Sequence, residues 1–270
     1  MASLHSHADI RALLNLHGLN PSRALGQNFV GDANTVRRIA RLAEVSAGDN
    51  VVEVGPGLGS LSLALLEAGA TLTVVELDRF LIPILEQMLP TARVVHADAL
   101  EVDWQELLGD APWVLVANLP YNVATPLVLD VLARAPMVRR MLVMVQREVG
   151  ERFAARPGSK AYGAVSVKVA WSAAASVVGK VPPTVFVPKP NVDSALVRFD
   201  RHGDVGTADE RARVFALIEA GFSTRRKMLR NTIDVDDACY AAAGVAPTAR
   251  AEELDLDAWR RLAACSPRPS

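Results

Sequence analysis

The chain carries Asn118-Leu119-Pro120-Tyr121 directly after an apolar run, Trp113-Val114-Leu115-Val116-Ala117. A short, β-branched apolar run of this kind predicts a buried strand. Pro120 has no N–H and biases Leu119 toward an extended backbone, so the strand must end there. The tetrapeptide therefore presents a carboxamide, a main-chain carbonyl and an aromatic ring together at the C-terminal edge of a strand. Asn118 Oδ1 and the Leu119 carbonyl form a pair of acceptors, which matches the two donors of an exocyclic amine such as adenine N6. Tyr121 can stack on the ring that bears the amine.

A second group of residues lies upstream. Gly55, Gly57 and Gly59 follow a strand-like segment and open a helix, and glycines there let the backbone turn sharply and approach a ligand closely. Their spacing is G-x-G-x-G, which differs from the G-x-G-x-x-G of dinucleotide dehydrogenases. The turn also lacks the Lys and Ser/Thr of a P-loop, which disfavours a nucleoside triphosphate. Glu76 lies 21 positions after Gly55, at the tip of the second strand, where a carboxylate accepts hydrogen bonds from ribose hydroxyls. Asp98, after the third strand, is placed to accept from an adenine amine. With Asn118 after the fourth strand, the glycine turn and three polar residues make four positions on one sheet edge. An adenosyl ligand that makes no demand for a pyrophosphate site fits S-adenosylmethionine.

The elements that must hold these residues follow from the apolar pattern. Strands are expected at Val51–Val54, Thr71–Val75, Arg93–His96, Trp113–Ala117 and Met141–Val145. Helices are expected at Ser60–Ala68, Phe80–Leu89, with Pro83 in its first turn, and Thr125–Ala133, opened by Pro126. Such alternation implies a mostly parallel sheet covered on both faces. Val165–Val169 alternates and reads as a later strand, as does Ala195–Phe199, with a Pro-rich loop over 181–190 between them. Beyond about Asp204 the pattern is helical, near Asp209–Phe222, Val235–Ala243 and Asp257–Ala264. The expected organisation is an α/β catalytic domain over 1–203 and a small all-α domain over 204–270.

Half of the 270 residues are hydrophobic, yet no apolar run is long enough to span a bilayer, and the N-terminus does not read as a secretory signal. A cytoplasmic protein is expected. Cys239 and Cys265 have no metal-ligand or CxxC spacing, so two reduced thiols and no metal are expected. The net charge of −1 conceals segregation: 7 Lys/Arg stand against 14 Asp/Glu in residues 1–110, 18 against 9 in 111–230, and 4 against 7 in 231–270. A strongly basic middle suggests a polyanionic partner. Arg225, Arg226, Lys227 and Arg230 form one dense cluster, with 226 and 230 sharing a face at helical spacing. Arg147, Arg152, Arg156 and Lys160 form another. Both are candidate phosphate contacts.

Asn118–Tyr121 resembles the Asn/Asp-Pro-Pro-Tyr type motif of methyltransferases that act on amino groups of nucleobases. From about Leu25 to Ala264 the chain resembles the small-subunit rRNA adenine N6-dimethyltransferases (the KsgA/RsmA/Dim1 family), and their bacterial branch in particular. The motifs are Gly26–Val30, similar to a cofactor lid, Glu53–Gly59, similar to the glycine loop, Val75–Asp78, Ala97–Ala99 and Asn118–Asn122. Ser159–Gly163, Val181–Pro183, Val192–Ala195, Arg225–Lys227 and Arg250–Glu252 resemble later family segments. Large-subunit methylases that confer erythromycin resistance share the cofactor and catalytic motifs, whereas Ser159–Gly163 and Arg250–Glu252 favour the small-subunit branch. Val123-Ala124 departs from the family's usual Ile-Ser, and the stretch between Asn231 and Ala249 is short for the family.

The resemblance implies a Rossmann-like class I S-adenosylmethionine methyltransferase. Its expected reaction is N6,N6-dimethylation of two adjacent adenosines in the 3′-terminal hairpin of 16S rRNA. The implied substrate is the immature small subunit and the implied state a monomer. Asn28, Val30, Gly55, Gly57, Glu76, Leu77, Asp98, Ala99 and Asn118 would hold the cofactor. Asn118, Leu119, Pro120, Tyr121 and Phe186 would hold the flipped base, with Phe186 closing the face opposite Tyr121. Ala124 is a candidate for the small residue that leaves room for a methyl already added, and His96 reads as structural or solvent-facing. The alternatives are a large-subunit rRNA adenine methylase and an assembly factor that acts mainly by binding.

Overall fold

The computed structural model describes residues 4–22, 25–120, 122–224 and 226–266. Tyr121 and Arg225, read from the sequence as a stacking ring and a phosphate contact, lie outside the described residues.

In chain order the first half comprises α1 (His7–Leu16), β1 (Phe29–Val30), α2 (Ala33–Leu42), β2 (Asn50–Val54), α3 (Ser60–Glu67), β3 (Thr71–Glu76), α4 (Ile82–Met88), β4 (Arg93–His96), α5 (Trp104–Leu108), β5 (Trp113–Asn118) and α6 (Ala124–Arg134). There follow β6 (Val138–Gln146), α7 (Arg147–Phe153), α8 (Ala164–Ala170), β7 (Ala173–Val181), β8 (Phe186–Val187), β9 (Ser194–Arg201), α9 (Ala208–Phe222), α10 (Asp237–Ala243) and α11 (Leu256–Cys265). Several helices start where a side-chain oxygen satisfies a free backbone N–H. Asp32 caps α2 in this way, Asp103 caps α5, Asp236 caps α10 and Asp255 caps α11. Pro83 sits in the first turn of α4, where its missing N–H leaves no helical hydrogen bond unmade.

Seven strands form one sheet in the order β4-β3-β2-β5-β6-β9-β7. The pairs β2/β3, β3/β4, β2/β5 and β5/β6 are parallel, and β6/β9 is antiparallel. Val51, Val52, Val74, Val75, Val116 and Ala117 are all nearly inaccessible, as expected for parallel strands covered on both faces. The chain runs outward from β2 through β3 to β4, then returns to the other side of β2 as β5. That reversal is a topological switch point, where the loops leaving two neighbouring strands part and open a crevice. Register places Val54 beside both Val75 and Ala117, and Glu76 beside His96. The strand ends at Glu76 and Asn118 and the turns carrying Gly55 and Asp98 therefore lie at one level of the sheet.

One expected strand is displaced along the chain. Val165–Val169 is not a strand but the body of α8. Gly163 caps it, donating its N–H to Ser166 Oγ, and that hydroxyl donates in turn to the Arg152 carbonyl at 2.6 Å. Val167 and Trp171, four apart, are both fully buried and join a core with Val214, Ile218 and Trp259. Over so few residues a period of two and a period of 3.6 select overlapping apolar positions, and the core they must reach decides. The later strand is β7, whose Ala173-Ala174-Ala175 start carries a helical propensity.

The chain forms two compact units. One comprises 1–150 with 176–201, and the other 151–175 with 202–270. The second therefore begins earlier than the position-203 division suggests, because α8 carries apolar residues of the helical core. Cys239 and Cys265 are not free thiols. They form a disulfide with Cα atoms 5.5 Å apart, within the usual span of such a bond. Packing of α10 on α11 brings them together, and a sequence separation of 26 gave no motif from which to read it.

Candidate active site

The first unit holds a cavity of about 330 Å³ at the C-terminal edge of β2, β3 and β5. Its size falls within the range of small-molecule sites. Asn28, Val30, Gly55, Gly57, Glu76, Leu77, Asp98 and Ala99 line it, together with Asn118, Leu119, Pro120 and Phe186. Every described residue assigned from sequence to cofactor or base thus faces one space.

The glycine loop shapes one wall. Gly57 adopts φ +58°, and a Cβ there would stand 2.8 Å from the Phe29 ring. Glycine serves twice at this position, for conformation and for close approach. From the neighbouring strand Glu76 enters almost wholly buried. Its Oε1 accepts the Asp78 N–H at 2.8 Å and its Oε2 the Gly57 N–H at 3.2 Å. Burial raises the Glu76 pKa, and the two backbone donors act in the opposite direction. Each oxygen keeps a second lone pair, so the carboxylate can receive two further donors, as a ribose diol would supply. Asp98 accepts the Leu100 N–H through Oδ1 at 2.9 Å, which fixes its side chain at the cavity wall. Such a donor and acceptor set fits an adenosyl ligand.

The lid segment closes the opposite side. Phe29 and Val30 pair antiparallel with Val187 and Phe186, so Phe186 is fixed by a backbone ladder directly opposite Val30. Gln27 donates to Asp78 Oδ2 at 2.8 Å and ties the segment to the tip of β3. Gly26, at φ +62°, passes so near Pro120 that a Cβ would lie 2.9 Å from the proline's own Cβ. Asn28 reaches the end of β5. Its carbonyl accepts Asn118 Nδ2 at 3.0 Å. Leu119 commits its N–H to the Met144 carbonyl, and the Pro120 carbonyl accepts the Val123 and Ala124 N–H groups.

The Ala124 and Arg226/Arg230 readings do not hold, whereas His96 faces solvent as expected. Ala124 is fully buried at the start of α6, and its neighbour Val123 lines the cavity in its place. His96 is exposed and bonds the Leu77 carbonyl at 3.2 Å. Arg226 and Arg230 do not share a helical face, since α9 ends at Phe222 and Leu229–Asn231 is a separate 3₁₀ turn. Arg226, Lys227 and Arg230 are exposed in the second unit, as are Arg152, Arg156 and Lys160. Arg147 opens α7 in the first unit and pairs with Asp193 at 3.7 Å.

Sequence reasoning did not single out Glu53 or Ser60, both of which line the cavity. Glu53 is fully buried on β2 and accepts the Ser62 hydroxyl at 2.5 Å. Burial pushes its carboxyl up to about 8, with the nearby Glu76 adding to the rise and Ser62 opposing it. It sits in the run Val-Val-Glu-Val, where alternation alone would put a glutamate on a solvated face.

The family model for ribosomal RNA adenine dimethylases matches residues 18–265. The chain belongs to the ribosomal RNA adenine dimethylase family. It is 52% identical over 273 residues to the ribosomal RNA small subunit methyltransferase A of Leifsonia xyli subsp. xyli, with 95% of this chain and 96% of that protein covered. The protein of the same name from Cutibacterium acnes is 49% identical over 275 residues, covering 94% and 92%. Among solved structures, the 23S rRNA methyltransferase ErmE superimposes with a TM-score of 0.69 at 26% identity, over 88% of this chain and 98% of that one. A dimethyladenosine transferase from Plasmodium falciparum gives 0.71 at 20% identity over 87% and 95%, a likeness of fold. As a ribosomal RNA adenine dimethylase the chain is an S-adenosylmethionine-dependent methyltransferase of Rossmann-like architecture, with the mostly parallel sheet described above.

Proposed function

We propose that this chain converts two adjacent adenosines in the 3′-terminal hairpin of 16S rRNA to N6,N6-dimethyladenosine, acting as a cytoplasmic monomer on immature small subunits. The names of the relatives at 49–52% identity favour the small subunit over the large. The observation that carries the chemistry is the hydrogen bond from Asn118 Nδ2 to the Asn28 carbonyl. With its donor engaged by the lid, the amide offers Oδ1 to a ligand, and the Leu119 carbonyl is its partner acceptor.

S-adenosylmethionine, when bound, supplies a methyl group made electrophilic by its sulfonium. The chain's residues supply positioning and polarity. Glu76 receives the ribose hydroxyls, Asp98 the adenine amine, and Gly55 and Gly57 let the main chain approach. The substrate's N6 lone pair is delocalised into its ring, which makes it a poor nucleophile. Acceptors at Asn118 Oδ1 and the Leu119 carbonyl take its two hydrogens, orient the amine and favour the geometry in which the lone pair faces the methyl group. After the first transfer one hydrogen remains for one acceptor. An alkylated N6 cation is acidic enough to release its proton to water, so no dedicated base is required. Phe186, fixed by the β1–β8 ladder, covers one face of the flipped base, and Tyr121 is the sequence candidate for the other. Arg226, Lys227, Arg230, Arg152, Arg156 and Lys160, with Arg147 and Arg225, supply candidate phosphate contacts.

The test is transfer of labelled methyl to purified immature small subunits and, in parallel, to protein-free large-subunit RNA, followed by nucleoside analysis. Dimethyladenosine confined to small-subunit rRNA is expected. Label found only in protein-free large-subunit RNA would contradict the assignment.

A further inference from the structure

His5 is an unusual residue to find enclosed, since it precedes the first helix and yet is only 7% exposed. Ser6 caps α1 through a reciprocal pair of bonds with Asp9. Further contacts hold the segment to the first unit: His7 Nε2 bonds the Thr184 carbonyl at 2.9 Å, and Ile10 and Leu14 enter the main hydrophobic core. His5 is thereby set against α3, with its Nδ1 3.2 Å from Ser60 Oγ. Ser60 is 5% exposed, is the first residue of α3 and lines the cofactor cavity.

The place of Ser60 within the site follows from the residues around it. Asp98 marks the adenine, Glu76 the ribose and Asn118 the reacting methyl. The amino-acid end of the cofactor must extend past the ribose toward the glycine loop and the start of α3. A carboxylate is favoured at a helix N-terminus, where backbone N–H groups lack helical partners. The cap residue of α3, Gly59, has no side chain to serve those donors. Ser60 is the first hydroxyl available there, and its usefulness depends on where its proton points. A hydroxyl that no donor holds rotates among the acceptors within its reach. Held by an N–H donated from His5 Nδ1, its oxygen is occupied and its own proton is free for a ligand oxygen.

We propose that His5 is a positioning residue for cofactor binding: it donates from Nδ1 to Ser60 Oγ, and so directs the Ser60 hydroxyl proton to the α-carboxylate of S-adenosylmethionine. Burial lowers the His5 pKa against the opposing pull of Asp9, which favours the neutral ring, and the proposed tautomer carries its proton on Nδ1. The segment ahead of α1 thus forms part of the cofactor site, through a contact spanning 55 positions of sequence.

The proposal rests on the S-adenosylmethionine reading of the cavity, and calorimetry on the full chain separates the two. The probes are S-adenosylhomocysteine, which has the carboxylate, and 5′-methylthioadenosine, which lacks the amino-acid end. Wild type should bind both; failure to bind either would count against the cavity assignment itself. His5→Ala should weaken S-adenosylhomocysteine about fivefold or more, as expected for loss of a directed, charge-assisted hydrogen bond. It should leave 5′-methylthioadenosine within about twofold by the same reasoning. Ser60→Ala should show the same selective loss, and the double variant should be no worse than either single one. His5→Asn, which keeps an N–H donor near the position of Nδ1, should recover most of the affinity. Equal weakening of both probes in His5→Ala would assign the residue a purely structural role, and unchanged affinity for both would remove it from the site; either result overturns the proposal.

Discussion

Asn118 and Asn28 are joined by one hydrogen bond, from the Asn118 side-chain Nδ2 to the Asn28 main-chain carbonyl, across 90 positions of sequence. The bond settles which end of the Asn118 amide is available to a ligand. It also ties the 26–30 segment to the strand end proposed to hold the base, because the stretch that presents the Asn28 carbonyl is held by the β1–β8 ladder and by the Gln27–Asp78 bond. Loss of this bond would leave the amide free to rotate and offer a donor where the proposed reaction needs an acceptor.

Glu76→Ala should weaken S-adenosylmethionine binding about tenfold or more. Loss of a charged acceptor for two hydroxyls costs roughly 1.5–3 kcal/mol. Titration calorimetry measures it directly, and an unchanged dissociation constant would reduce Glu76 to a loop-ordering role through its bonds to Gly57 and Asp78.

Gly57→Ala should impair the cofactor site without unfolding the sheet. The new Cβ would need both a strained positive φ and a displaced Phe29 ring. Because Phe29 belongs to β1, the lid should loosen. We expect at least a tenfold loss of cofactor affinity, on the order of 1.5 kcal/mol, with far-ultraviolet circular dichroism like that of the wild type. Wild-type affinity would show that the loop tolerates a side chain.

The pH dependence of stability should carry a contribution from Glu53. Its carboxyl is pushed up to about 8 in the folded protein from an ordinary 4.5. The folded state therefore holds a proton that the unfolded chain releases between those values. The contribution to stability is fully present below pH 4.5 and lost as pH rises through 8. Glu53→Gln removes this term. Between pH 5 and 8.5 the Tm of the variant should rise relative to wild type, by on the order of 5 °C. Parallel Tm curves over that interval would show that Glu53 is ionised in the folded protein.

Reversal of Arg226, Lys227 and Arg230 to Glu should sharply weaken binding to small-subunit particles and leave cofactor affinity unchanged. The three are exposed in the helical unit, whereas the cofactor cavity is formed by the other unit. If they contact phosphates, the slope of log affinity against log salt should become shallower by about 2. An unaltered affinity and slope would shift attention to Arg152, Arg156 and Lys160.

The sheet edge that lines the cavity was legible in the sequence because glycine and proline mark it locally. Gly55, Gly69 and Pro120 punctuate the chain at the ends of elements, and the polar residues that follow each strand are found by counting from them. Contacts between distant segments were not legible. Nothing near Phe186 indicates that Val30 is its ladder partner, and nothing near Ser60 indicates His5. The α8 segment misled because its valines suit either period, and the helical core claimed Val167 and Trp171. Glu53 was given no role of its own because a charged residue in Val-Val-Glu-Val reads as solvated, although a parallel sheet covered on both faces buries every position of β2 from Val51 to Val54. The disulfide joins two helices whose packing has no mark in the cysteine spacing.

The most direct test of the central claim is the single-turnover rate of methyl transfer to small-subunit particles by wild type and Asn118→Ala, measured at saturating S-adenosylmethionine with cofactor affinity determined in parallel. If Asn118 Oδ1 holds and orients the target amine, the variant should lose a factor of about 10²–10³ or more in rate while binding cofactor within a few-fold of wild type. A variant that binds cofactor normally and transfers methyl at near wild-type rate would contradict the account.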